Sequence, residues 1–144
     1  MDRVRVGLSV VVTAVADGAP RLAVVQSGFA LPRQHRCKQD EQAPRDALPG
    51  APLDLENHRT LQEGVRRVAE GLTGLSLRYV EQLYTFGDRF RDPYELFGGQ
   101  RSVVVAYLAL VRHGALGGQN AAWRSAYDYF PWEDWRADRP ALID

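Results

Sequence analysis

From Val4 to Val15 the chain is β-branched and apolar almost throughout, a pattern that predicts one long, largely buried strand. Ala16-Asp17-Gly18-Ala19-Pro20 interrupts it with turn chemistry, and its Asp-Gly pair favours a tight reversal. Arg21 to Gln26, carrying Leu22, Ala23, Val24 and Val25, is then the returning strand of a hairpin. From Pro32 to Arg45 the sequence turns polar and charged and predicts a surface loop, since nothing in it builds a core.

The next periodic stretch is helical. Leu61, Val65, Val68 and Leu72 recur at i, i+4, i+7 and i+11, a stripe suited to packing on a sheet. Thr60-Leu61-Gln62-Glu63 is a capping-box pattern, in which hydroxyl and carboxylate serve free amides of the first turn. Gly74 predicts a left-handed exit, and Gly71 weakens the last turn. Leu75 to Tyr84 reads as a strand with Leu77, Tyr79 and, after a register shift, Leu83 facing inward. Thr85 to Arg101 reads as a loop and Ser102 to Val111 as a second long apolar strand. Gly114 to Asn120 is a turn with three glycines, and aromatic residues gather between Trp123 and Trp135. No internal repeat or low-complexity segment is present. Hairpin, loop, helix and further strands make an α/β pattern around a mixed sheet.

Composition narrows the function classes. At 144 residues and 45% hydrophobic, the chain fits one domain, residues 1–144, with a real core. Eighteen basic and eighteen acidic residues cancel, so these residues alone lack the basic balance of a nucleic-acid-binding domain. The single cysteine, Cys37, excludes an internal disulfide and a cysteine-based zinc site. No apolar run approaches the roughly 18 residues of a membrane span. Asp2, Arg3 and Arg5 lead straight into the first strand, unlike a signal peptide. No membrane association and a cytoplasmic location are the expectations.

Two stretches carry more specific chemistry. Ala47-Leu48-Pro49-Gly50, followed by the amphipathic helix and Thr73-Gly74-Leu75, resembles a Nudix box, the loop-helix that binds Mg²⁺ and pyrophosphate in nucleotide hydrolases. That box has Gly, five residues, Glu, seven residues, Arg-Glu-apolar-any-Glu-Glu, one residue, Gly and an apolar residue. Anchoring on Gly50 matches Glu56; anchoring on Gly74 and Leu75 matches Arg67, and the anchors disagree by three residues. Counted back from Gly74, Val68 replaces the Glu after the arginine, and Gly71 and Leu72 replace the paired glutamates. Mg²⁺ wants carboxylate oxygens in near-octahedral array, and these side chains supply none. Glu56, Glu63 and Glu70 are the metal candidates that remain. The bland alternative is solvated surface charge, with Glu63 four residues before Arg67 and Glu70 three after it.

The second stretch is Glu81-Gln82-Leu83-Tyr84-Thr85-Phe86-Gly87-Asp88, then Arg91-Asp92-Pro93, then Ser102 to Leu110. It resembles a block of Nudix-related transcriptional regulators of NAD metabolism, and Tyr129-Phe130-Pro131-Trp132 resembles the Trp-Phe-Pro strand that closes their sheet. The resemblance runs from Val4 to Trp135. It implies a Nudix-like α/β fold: a mixed β-sheet with the box helix packed on it, an α/β/α sandwich whose second helix, opening at Pro140, is truncated. It further implies an NAD-related nucleotide effector such as ADP-ribose or NAD, a homodimer, and DNA contact only through a C-terminal winged helix expected beyond residue 144. The insertion Tyr94-Glu95-Leu96-Phe97-Gly98-Gly99 departs from the shorter, more basic loop of many members.

Without metal, a diphosphate needs arginines, backbone amides or both. The ligand-binding candidates are Arg66 and Arg67 on the helix, then Phe86, Asp88, Arg89, Arg91 and Asp92 in and before the loop. Phe86 and Tyr84 offer faces for an adenine, and Arg33, Arg36 and Lys38 offer charges for phosphates. Each has a structural alternative: bracing for Arg67, a charged turn for the loop, core packing for the aromatics. His35, His58 and His113 show no metal spacing. Three functions stay open: a non-catalytic nucleotide sensor with no cofactor, a Mg²⁺-dependent hydrolase using Glu56, Glu63 and Glu70, and a ligand-free dimerisation module.

Overall fold

The computed structural model describes residues 3–26, 46–118 and 120–140. Its elements are β1 (Val4–Ala16), β2 (Ala19–Gln26), β3 (Asp46–Ala47), β4 (Gly50–Pro52), α1 (Leu61–Thr73), β5 (Glu81–Phe86), α2 (Pro93–Leu96), β6 (Arg101–Leu110) and β7 (Ala121–Ser125), followed by 3₁₀ turns at Ala126–Asp128 and Pro131–Glu133. The strands form one mixed sheet in the order β3-β2-β1-β6-β5, with β4 added to β1 and β7 to β2. β1 and β6 run parallel at its centre, Val4 beside Arg101 and Thr13 beside Leu110. The hairpin closes on Asp17 and Gly18, both at positive φ, the geometry that matches the twist of the strands it joins.

Alternation along β1 decides which face is covered. Leu8, Val10, Val12 and Ala14 are buried while Ser9, Val11 and Thr13 between them are half-buried. The buried set meets Val105, Tyr107 and Ala109 of β6 and Val65 and Ala69 of α1. Burying one such valine contributes about 2 kcal/mol, so this layer holds the helix to the sheet.

Several expectations need correction. On α1 the buried positions are Gly64, Val65, Ala69 and Thr73, and Leu72 stays 36% exposed. The stripe turns because the Thr73 hydroxyl satisfies itself on the Ala69 carbonyl at 2.6 Å and so tolerates burial. Thr60 caps the helix, accepting from the Glu63 N–H at 3.0 Å, but the Glu63 carboxylate goes to Arg67 and the box is half made. Gly74 ends α1 at φ 72°, and its Cα lies so close to the Gly117 backbone that a side chain has no room.

The strand expected over Leu75 to Tyr84 exists only as β5. Leu77 and Val80 are buried ahead of it, whereas Tyr79 and Leu83 are exposed. Tyr129-Phe130-Pro131-Trp132 forms no closing strand, since Pro131 opens a 3₁₀ turn; β7 does the closing, on β2. Among the described residues the α-helices are α1 and the short α2, and the second helix expected to open at Pro140 falls almost wholly outside them. No helix among the described residues is long and apolar enough to cross a membrane. The polar loop with Arg33, His35, Arg36, Cys37 and Lys38 lies outside the described residues.

Candidate functional site

The box segment is built by local hydrogen bonds. β4 lies against β1, with Gly50 beside Ser9, and the Pro49 carbonyl accepts the Val10 N–H at 3.0 Å. Asp54 then organises the loop: its carboxylate takes the Asn57 side-chain amide at 2.7 Å and the N–H groups of Glu56 and Asn57 at 3.0 and 3.2 Å. These bonds, the Asn57 side-chain amide foremost, hold Asp54 below the ordinary carboxylate range. Sequence reading missed Asp54, although an Asp opening a turn is a recognisable signal. Glu56 is left exposed on the outside of that turn.

On α1 the carboxylates do not converge. Glu63 lies 2.7 Å from the Arg67 guanidinium, four residues on, so the surface-pair reading holds for it. Glu70 is exposed two turns further, about 10 Å along the axis, against metal–oxygen bonds of about 2 Å. Among the described residues no three His, Cys, Asp or Glu side chains come together as a metal site. His58 faces the loop, accepting the Asp54 N–H at 3.1 Å, and His113 stacks against Trp123. The Mg²⁺ candidates Glu56, Glu63 and Glu70 therefore do not fit one ion.

Arg66 and Arg67 are accounted for within the protein. Arg66 donates to the carbonyls of Leu77 and Arg78, both at 3.2 Å, and so clamps the segment after α1 onto the helix. Arg67 in turn donates to Glu63 at 2.7 Å, so both guanidinium groups make bracing contacts within the protein.

The loop after β5 is assembled differently. Asp92 caps α2, accepting the Tyr94 N–H at 2.9 Å, and takes the Arg5 guanidinium at 2.6 Å. Arg91 lies with its guanidinium 3.5 Å from the centre of the Phe86 ring, and Tyr84 meets the same ring edge-on. The Phe86 face expected to stack a base is thus covered by Arg91. Phe86, Arg91 and Asp92 border a cavity of about 190 Å³ with Pro93, Ser102 and Val104. That is below the ~300–1,000 Å³ usual for ligand pockets and too small for a dinucleotide. Asp88 is exposed, its carbonyl accepting the Arg91 N–H, and Arg89 turns away to a separate, larger cleft. The structure brings Phe86, Arg91 and Asp92 together and leaves Arg66 and Arg67 apart from them.

A third polar cluster ties the end of the chain to β3. Asp46 accepts from the Tyr129 hydroxyl at 2.8 Å and from Arg124 at 3.0 Å. Burial first, then the bond to Asp46, pushes the Tyr129 hydroxyl up to about 12.

The parallel centre, the box segment between β4 and α1, and the helix on one face together define the architecture. It is a Nudix fold. The chain superposes on the Nudix domain of Shewanella oneidensis NrtR complexed with ADP-ribose with a TM-score of 0.74 and 22% identity, covering 91% of this chain and 79% of that one. On S. oneidensis NrtR complexed with a 27mer DNA the TM-score is 0.68 at 23% identity, over 85% of this chain and 52% of that one, so the chain spans about half of that protein's length. A MutT Nudix hydrolase from Burkholderia pseudomallei matches at 0.60 and 22% identity, over 88% and 86%. No protein-family model and no curated protein matches.

Proposed function

We propose that this Nudix domain senses a nucleotide from the NAD pool, ADP-ribose or NAD, without hydrolysing it, within a transcriptional regulator that reaches DNA through a further domain and acts as a dimer in the cytoplasm. The observation that carries the reading is the end of the box helix. Val68, Gly71 and Leu72 stand where the resemblance places the three glutamates, and the carboxylates still present on α1 are either paired to Arg67 or two turns away. A helix that keeps its cap, its left-handed exit and its packing while lacking oxygen donors retains a shape for ligand and not the means to activate water. The likeness to the NrtR Nudix domain complexed with ADP-ribose supports the choice of ligand class.

Hydrolases share this fold, and the exposed Glu56 and Glu70 keep the catalytic reading as the alternative. Incubation with ADP-ribose and Mg²⁺ decides between them. Release of AMP at roughly 1 per second or faster would establish the hydrolase. The proposal expects no turnover together with a ligand-dependent rise in the thermal midpoint. Absence of any midpoint shift with ADP-ribose, NAD, ATP and nicotinamide mononucleotide would instead favour a ligand-free dimerisation module.

A further inference from the structure

The larger cleft borders the start of β1 and of β6. Arg101 opens β6 beside Val4, so Arg3 and Arg101 sit at the entry of the two central parallel strands. The exit of α1 packs on Gly117, which follows β6 in the chain and does not line the cleft. Arg89 comes in from the β5–β6 loop and completes a triad of guanidinium groups around a cleft of about 770 Å³. That volume is in the range of small-molecule sites.

Three like charges around one cleft repel one another unless an anion joins them. Among the described residues no carboxylate pairs with Arg3, Arg89 or Arg101; Arg101 donates to the Gly87 carbonyl at 3.0 Å, and Arg89 lies over the Phe90 ring. The acid in the lining, Glu95, is buried and its Oε2 is engaged by the Phe90 N–H at 3.1 Å. Phe90 itself holds φ 63°, a left-handed conformation unusual for a bulky side chain, and stays half exposed at the cleft wall. The pinned aromatic thus stands beside the arginines, with Arg89 over one face and half of its surface exposed.

We propose that this cleft is a second ligand site, in which Arg3, Arg89 and Arg101 bind the phosphate of a small phosphorylated molecule and Phe90 packs against its organic part. Guanidinium groups suit phosphate because they offer paired N–H donors to its oxygens.

Titration calorimetry of the 144-residue chain with inorganic pyrophosphate in Mg²⁺-free, low-salt buffer tests it. The wild type should bind at least tenfold more tightly than an R3Q/R89Q double variant. Neither side chain is hydrogen-bonded to a described residue, so the unliganded variant should stay folded and melt only slightly below the wild type, by the loss of the Arg89 contact with Phe90. AMP should bind more tightly than orthophosphate, with that advantage lost in Phe90→Ala; parity of the two in the wild type would overturn the part given to Phe90. ADP-ribose affinity should survive in the double variant, and its parallel loss would overturn a separate second site. No binding to the wild type, or equal affinity in the double variant, overturns the proposal altogether.

Discussion

The guanidinium of Arg5, on the first strand, donates to Asp92 at 2.6 Å and joins residues 87 positions apart in the chain. The Asp92 side chain is only 11% exposed and Arg5 39%, so the pair lies between a surface bridge and a buried one. Asp92 also caps α2, while Arg5 also lies 5.7 Å from the centre of the Tyr94 ring, a weaker contact than the cap. We expect Arg5→Ala to cost about 1 kcal/mol and Asp92→Ala about 2 kcal/mol in urea unfolding. The double-mutant cycle should return a coupling of about 1 kcal/mol. Coupling near zero would mean that the loop is held by α2 and Phe86 instead.

That pairing was not legible in the sequence, since nothing local marks Arg5 as the partner of an aspartate in a distant loop. The long strands and the box helix were legible, because β-branched runs, Thr60 and Gly74 are local signals with local causes. The segment before β5 misled for a physical reason. Leu75, Leu77 and Val80 read as strand, yet the carbonyls of Leu77 and Arg78 are taken by Arg66 of the helix, not by a neighbouring strand. Near the chain end, Pro131 lacks the N–H that a strand ladder needs and opens a 3₁₀ turn instead.

Two glycines of the box helix should respond to alanine with opposite signs. Gly71 lies inside α1 with open space where a Cβ would stand, so Gly71→Ala should stabilise by about 0.5 to 1 kcal/mol. Gly74 has φ 72°, and a Cβ there would lie 2.8 Å from the Gly117 backbone, so Gly74→Ala should destabilise by about 2 kcal/mol or more. Thermal unfolding of the two variants side by side checks the signs. A stabilised Gly74→Ala would show that the helix exit is not the left-handed turn described.

The bond from Tyr129 to Asp46 makes stability depend on pH at both extremes. Tyr129 is raised from 10.0 to about 12, so its contribution is complete below pH 10 and is lost as pH rises towards 12. Asp46 is held below 3.8, chiefly by the hydrogen bond from Tyr129 and against a desolvation effect that raises it. Its contribution is complete above that value and is lost as pH falls below it. Both groups are partly exposed, so solvent screening keeps the bond near about 1 kcal/mol. Tyr129→Phe should therefore be less stable than wild type by about that amount at pH 7, with the gap narrowing above pH 10. A gap that stays constant to pH 12 would place the hydroxyl outside the folded network.

The helix end offers the most direct access to the catalytic question. Val68, Gly71 and Leu72 stand at i, i+3 and i+4, so side chains there share one face of the last turns. Gly71 has open space around it and Leu72 is partly exposed, so carboxylates fit at both without displacing the core. The variant Val68→Glu/Gly71→Glu/Leu72→Glu supplies the oxygen donors that a hard divalent ion requires. We expect it to gain a Mg²⁺-dependent rise in stability, about 2.7 kcal/mol at a hundredfold excess over the dissociation constant. Neither the wild type nor the matching glutamine triple variant should respond to Mg²⁺. If the wild type already shows that dependence, oxygen donors other than these three positions hold the ion, and the reading of this helix as one that binds without cleaving fails with it.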